Sequence, residues 1–233
     1  MSIHQGHRQR VRQRYIEEGL DGFKEHEALE MLLFYCLARK DTNELAHRLL
    51  DEFGNLPAVM AATPAQLANV SGVGDGAAAF LRFINDFNRY VQVRKKELEC
   101  NSLPSLVACG EYLFPKFIGR RNEVVYLLCL DSKCKILGCK LLGEGSVNSA
   151  AVPIRRIVEH ALNMNASAVI LAHNHPSGVA LPSIDDVQTT RMLANALQAV
   201  DVLLADHIVF SDDEFISMYQ SNYFSGEDIL SGV

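Results

Sequence analysis

Apolar positions recur at spacings of three and four through Ala28-Leu29, Leu32-Leu33 and Leu37, and again through Leu45-Ala46 and Leu49-Leu50, the stripe of an amphipathic helix. No alternating strand pattern appears before about residue 92, so this part of the chain is predicted to be helical throughout. Gly54-Asn55 ends one helix, and Thr63 caps the next with Pro64 at its first position. Ser71-Gly72-Val73-Gly74-Asp75-Gly76 then breaks the pattern before Ala77 to Tyr90 resumes it. Residues 94–105 are charged and then turn-like, which places a domain boundary near 102 and predicts an all-helical domain over 1–101.

Beyond that boundary the pattern changes. A helix is expected from Leu106 to Phe117, followed by the buried-strand run Glu123-Val-Val-Tyr-Leu-Leu-Cys-Leu130, a polar turn over Asp131 to Lys135, and a second strand from Ile136 to about Val147. Pro153 opens a helix to about Asn163, and Ser167 to Ala172 is a short apolar strand that runs into two histidines. A helix from about Ile184 to Val200 and strands around Val202 to Phe210 complete an α/β domain of mixed pairing over 102–233. The whole chain is therefore expected to be an α+β, two-domain protein.

Composition narrows the classes. Hydrophobic residues make up 48% and charged residues 21%, the usage of a globular chain, with no run of apolar residues long enough to span a bilayer. The start, Met1-Ser2-Ile3-His4-Gln5, is polar rather than a signal core, so a soluble, cytoplasmic protein without a membrane partner is expected. Six cysteines include no Cys-x-x-Cys pair, which argues against a thiolate zinc site and for free thiols.

A net charge of -6 argues against gripping nucleic acid by bulk charge. Locally, however, Arg8, Arg10, Arg12 and Arg14 accompany His4 and His7 with no acid before Glu17, a basic arm that is either a solvated terminus or a phosphate contact. Leu67 to Phe80 resembles a helix-hairpin-helix element, whose Gly-Val-Gly lets backbone N–H groups approach a phosphate, although Asp75 adds a negative charge there. DNA is thus a partner to test for in the helical domain.

The sharpest chemistry lies after residue 170. In His173-Asn174-His175 a period of two sends both imidazoles to one side. Pro176-Ser177-Gly178 turns the chain, and Pro182-Ser183-Ile184-Asp185-Asp186 begins a helix whose first turn can return a carboxylate to the same point. Two neutral histidines and one carboxylate leave a tetrahedral zinc with one open position, as catalytic sites do. Ser183-x-x-Asp186 is equally a capping box that needs no metal.

His173-x-His175-x7-Ser183-x-x-Asp186 resembles the JAMM signature of the MPN/JAB metalloprotease fold. More narrowly, His-Arg-x-Arg-x-Arg-x-Arg-Tyr from His7, Arg39-Lys40-Asp41-Thr42-Asn43, Gly72-Val73-Gly74, His173-Asn-His-Pro-Ser-Gly178 and Asp206-His207 resemble the bacterial RadC family along nearly the whole chain. The resemblance implies a helical domain joined to a JAMM domain, with zinc held by His173, His175 and Asp186. It also implies an upstream glutamate as general base, which Glu123 fits by position and Glu144, in a Gly-Glu-Gly turn, fits less well. Ser183 would support the tetrahedral intermediate, and Asn174 and Asp206 are groups that either orient imidazoles or serve a structural role. The expected activity is hydrolysis of peptide or isopeptide bonds in a peptide or protein substrate. The rival expectation is a DNA-associated accessory protein, consistent with the name DNA repair protein given to members, whose metal site is structural or vestigial. A two-metal nuclease is disfavoured, because it needs more carboxylates.

Overall fold

The structure, a computed structural model, describes residues 3–38, 40–145, 152–176 and 178–224. Arg39, Ser177, the side chain of His4 and the predicted strand end at Ser146 and Val147 lie outside the described residues. The chain divides into two compact units, Met1–Asn88 and Arg89–Val233. No helix among the described residues is long and apolar enough to cross a membrane.

The first unit is helical: α1 (Ile3–Glu18), α2 (Glu25–Leu33), α3 (Asn43–Phe53), α4 (Leu56–Ala61), α5 (Pro64–Ala68) and the start of α6 (Asp75–Glu99). The leucines of the predicted stripes, Leu29, Leu33, Leu45 and Leu49, are buried together with Leu67 and Leu81 in one core. Gly54, at φ 90°, closes α3 in a conformation that favours glycine. Asn55 caps α4 by accepting from the Ala58 N–H at 2.8 Å. Thr63 and Gln66 form a reciprocal capping box on α5.

The basic arm is α1, and three of its arginines pack within this unit. Arg8 donates to the carbonyls of Leu37, Ala38 and Lys40 at 2.7, 3.0 and 2.7 Å and lies over the Phe34 ring. Arg12 also stands over Phe34 and over Tyr35. Arg14 pairs with Glu27 at 2.9 Å and stacks on Phe23. Arg10 is exposed.

The division between units falls inside α6, whereas the sequence pattern puts it near 102. Residues 94–99 are charged but complete the helix, where Arg94 pairs with Glu97 at 2.8 Å and Lys95 with Glu99 at 3.9 Å.

The second unit contains α7 (Leu106–Leu113), a 3-10 turn (Phe114–Lys116), β1 (Glu123–Leu130), β2 (Ile136–Gly145), α8 (Ile154–Asn163), β3 (Ala168–Asn174), α9 (Ile184–Gln198), β4 (Leu203–Phe210) and the short β5 (Phe215–Ser217), which the sequence did not announce. The sheet runs β2-β1-β3-β4-β5. Among the described strands only β3 and β4 are parallel, and α9 makes the crossover between them. Alternation sends Val125, Leu127, Cys129, Val169 and Leu171 to the side of α8 and α9, where Ile157, Leu193 and Leu197 meet them. Val124, Leu128, Ile170, Ala172 and Ile208 face α7 through Tyr112, Leu113 and Phe117. Covered on both faces, β1 and β3 read as continuous apolar runs.

Candidate metal centre

The C-terminal end of β3 carries the site. Val125 pairs with His173 at the end of the β1–β3 ladder, and Glu123 lies two residues earlier on β1. The His175 N–H donates to the Phe210 carbonyl at 2.8 Å, so the backbone stays tethered to β4 just past the strand. Across from the histidines, α9 begins at the Ser183 cap, and Asp186 occupies its first turn.

His173, His175 and Asp186 converge. The two Nε2 atoms are 2.9 Å apart, His173 Nε2 lies 3.3 Å from Asp186 Oδ1, and His175 Nε2 lies 3.6 Å from Asp186 Oδ2. A tetrahedral ion with bonds of about 2.0–2.1 Å has ligand-to-ligand edges of about 3.3 Å, which these separations bracket. The donor set of two imidazole nitrogens and one carboxylate therefore fits a divalent ion. His173 and Asp186 are only 1% and 4% exposed at the side chain, while His175 at 18% marks the open side.

Glu123, half-buried, shares the sheet face of Val125 and His173 and acts electrostatically on His175. Glu144 does not share it. That residue pairs with Val124, on the face toward α7, and its carboxylate accepts from Arg120 at 3.0 Å. The Ser183 hydroxyl donates to Asp186 Oδ2 at 2.6 Å and accepts from the Asp186 N–H at 3.1 Å, while the Ser183 N–H donates back to Asp186 Oδ2 at 2.8 Å. The capping box and a carboxylate oxygen turned to the histidines are thus both present, since Asp186 holds Ser183 through Oδ2 and meets His173 through Oδ1.

For two supporting groups the structural reading, of the two left open, is the one that holds. Asn174 orients no imidazole: it points to the other face, accepts from the Val124 N–H at 2.8 Å and donates to the Asn122 carbonyl, pinning β1 to the end of β3. Asp206 likewise turns away and takes the main-chain N–H groups of His207 and Tyr219 at 2.8 and 3.0 Å. The groups that do hold the imidazoles were missed. His207 Nε2 stands 2.8 Å from His173 Nδ1, Thr190 Oγ1 stands 2.6 Å from His207 Nδ1, and the Val179 carbonyl faces His175 Nδ1 at 3.2 Å.

His207 reaches this face through a β-bulge. Val169 pairs with Leu204 but Ile170 with Asp206, so Ala205 is an extra residue in β4. Without it the period of two would send His207 toward α7; with it His207 lies beside Leu171, on the side of His173. Complete burial pushes the His207 pKa well below the ordinary imidazole value, so this ring is neutral. The Asp186 carboxylate, by contrast, raises that of His175.

Burial also raises the Asp206 carboxyl to about 6, because its Oδ2 makes no hydrogen bond of ordinary geometry and the neighbouring Ser217 hydroxyl and N–H groups offset burial only in part. An acid whose folded pKa is raised loses stability as pH climbs from about 4 to about 6, to a plateau on the order of 3 kcal/mol lower. Asp206→Asn keeps an acceptor for both N–H groups and carries no charge. Urea unfolding is expected to show the variant more stable than wild type at neutral pH and lacking that decline; an Asn variant less stable at neutral pH would refute this account.

A mixed sheet with His-x-His at a strand end and a carboxylate in the first turn of the following helix is the arrangement of a JAB-type domain. The chain belongs to the RadC family: residues 104–223 match the model described as the RadC-like JAB domain. It is 32% identical over 222 residues to the UPF0758 protein FN0909 of Fusobacterium nucleatum, covering 93% of this chain and 96% of the relative. It is 35% identical over 215 residues to the UPF0758 protein PBPRA0202 of Photobacterium profundum (92% and 95%), and 34% identical over 207 residues to a UPF0758 protein of Rhodobacter capsulatus (89% and 96%).

Proposed function

We propose that this protein is a zinc-dependent hydrolase of peptide or isopeptide bonds, with its reaction centre at His173, His175 and Asp186. The observation that carries this reading is the convergence of two imidazole nitrogens and the carboxylate of Asp186, with separations of 2.9, 3.3 and 3.6 Å, one side open, and a second carboxylate, Glu123, on the same sheet face. A bound zinc supplies Lewis-acid chemistry, polarising a carbonyl and lowering the pKa of a water toward about 7.

The chain's own groups account for the proton traffic. A carboxylate oxygen of Glu123 takes a proton from the attacking water as its oxygen bonds to the scissile carbonyl carbon. The same carboxyl returns that proton to the amide nitrogen as the C–N bond breaks, so a carboxylic acid and an amine are released, and the acid's proton then passes to the amine or to solvent. Ser183 Oγ, which donates to Asp186 Oδ2, is the hydroxyl assigned to donate to the developing oxyanion, and it must leave that carboxylate to do so.

The test is to load the purified chain with zinc, measure metal per chain, and screen fluorogenic peptide and isopeptide libraries with and without chelator. Chelator-sensitive cleavage restored by zinc is expected. A chain that takes up no metal would overturn the reading.

Loading should also depend on pH. In the metal-free protein His175 donates from Nδ1 to Val179 and holds a second proton at Nε2 against His173 and Asp186, to a higher pH than an ordinary histidine. A ligand nitrogen must give up that proton, so affinity is expected to fall as pH falls through the raised His175 pKa. Calorimetry in buffers of different ionisation enthalpy should register a proton released on binding in that range; zero release there would contradict the assignment of His175.

A further inference from the structure

We propose that His207 and Thr190 are positioning residues that lock His173 in its Nδ1–H tautomer and so present the bare Nε2 lone pair to the metal position. The proposal takes the reading of the cluster as a metal centre for its purpose, but the hydrogen bonds that carry it exist without an ion.

The direction of the chain follows from the one group that cannot donate. The Asp186 carbonyl lies 2.6 Å from Thr190 Oγ1, so the Thr190 hydroxyl hydrogen points to it, the back-bond of a threonine onto the preceding turn of its own helix. With its single hydrogen used, Thr190 Oγ1 can only accept from His207 Nδ1 at 2.6 Å, which makes that nitrogen N–H. In a neutral imidazole the other nitrogen is then an acceptor, so His207 Nε2 takes its hydrogen bond from His173 Nδ1–H at 2.8 Å. His173 Nε2 is left bare, and it is this atom that faces His175 Nε2 and Asp186. All three relay residues are fully or almost fully buried, which keeps water from supplying a competing partner.

His207 is close enough to be taken for a ligand, since His173, Asp186 and His207 offer donor atoms within 4.8 Å of one another. Its bonds argue otherwise. Both of its nitrogens are engaged, and its Nε2 faces the nitrogen of His173 that points away from His175. An imidazole in the place usually taken by a carboxylate or a carbonyl leaves the supported histidine neutral and adds no negative charge. The relay also ends on the main chain of Asp186, so the same first turn of α9 that offers the carboxylate anchors the opposite histidine.

Long-range proton–nitrogen correlation spectra of the full chain read the tautomers directly. In metal-free protein His207 is expected as the Nδ1–H form, and after zinc is added both His173 and His207 are expected as Nδ1–H forms. An Nε2–H form of His207 reverses the chain and overturns the proposal, whether or not the protein takes up metal. Failure of the wild type to bind zinc would strike at the reading of the site alone, because the His207 tautomer is still measured without it.

Variants supply the second arm. Thr190→Val keeps shape but removes the acceptor, and is expected to weaken zinc affinity about 10–100-fold, the usual effect of losing a group that orients a ligand, with one ion still bound at saturation. Thr190→Ser should restore affinity. Equal affinity of the Val and Ser variants in folded protein, or abolition of zinc binding by His207→Gln as complete as that by His173→Ala, overturns the assignment: the first removes the relay and the second makes His207 a ligand.

Discussion

Glu123→Gln is expected to lower kcat on a cleavable peptide or isopeptide about 10²–10⁴-fold while leaving fold and metal content intact. Glutamine keeps the size of the side chain and can still hydrogen-bond water, but its amide cannot take up the proton that hydrolysis releases. The structure makes the choice of residue specific. Glu123 and Glu144 sit on neighbouring strands, but the alternation of β1 and β2 sends them to opposite faces of the sheet, and Glu144 is already engaged by Arg120. Glu144→Gln should therefore remove a partly exposed ion pair on the α7 side and cost at most about 1 kcal/mol of stability, with turnover unchanged. Measuring kcat and metal per chain for both variants decides the matter: full activity in Glu123→Gln, or loss of turnover in Glu144→Gln with metal retained, moves the base elsewhere.

The parts of this site that were readable in the sequence are those governed by local rules. His173 and His175 share a side because a strand has a period of two, and Asp186 returns to them because Ser183 three residues earlier starts a helix. The limits of β1 follow from its apolar run between polar turns. What was not readable depends on partners distant in the chain or on a break in the period. The Ala205 bulge reverses the face of His207, and nothing in Leu203-Leu-Ala-Asp-His207 signals it. Thr190 looks like any mid-helix threonine until β4 brings an imidazole to it. For Asn174 and Asp206, polar and adjacent to histidines in sequence, an orienting and a structural role are both open until the faces are known: neighbours along a strand point to opposite faces, and each takes main-chain partners instead. The basic arm is a parallel case, since the carbonyls that Arg8 engages lie some thirty residues downstream. If the helical unit does bind DNA, those contacts must be made by groups that remain free or must displace these bonds, and the pairing of Arg14 with Glu27 holds that carboxyl down at about 2.

Asp186 is expected to serve as both ligand and helix cap, and two substitutions should separate the roles. Its carboxylate closes the reciprocal box with Ser183 at the start of α9 and faces both histidines. Asp186→Ala removes both functions. The metal should be lost, and the metal-free protein should also be destabilised by roughly 0.5–2 kcal/mol, the usual cost of a lost cap, because the Ser183 N–H and hydroxyl lose their acceptor. Asp186→Asn retains an amide oxygen for the Ser183 N–H, so most of the cap survives, but it offers the ion a neutral ligand in place of an anionic one. In thermal melts the Asn variant without metal should lie near wild type and well above the Ala variant. Added zinc should raise the melting temperature of wild type, since an ion that binds only the folded chain stabilises it by mass action, and should leave both variants unmoved. A zinc-dependent rise in Asp186→Asn equal to that of wild type would show that the carboxylate is a cap alone and that the ion, if held at all, is held by other groups.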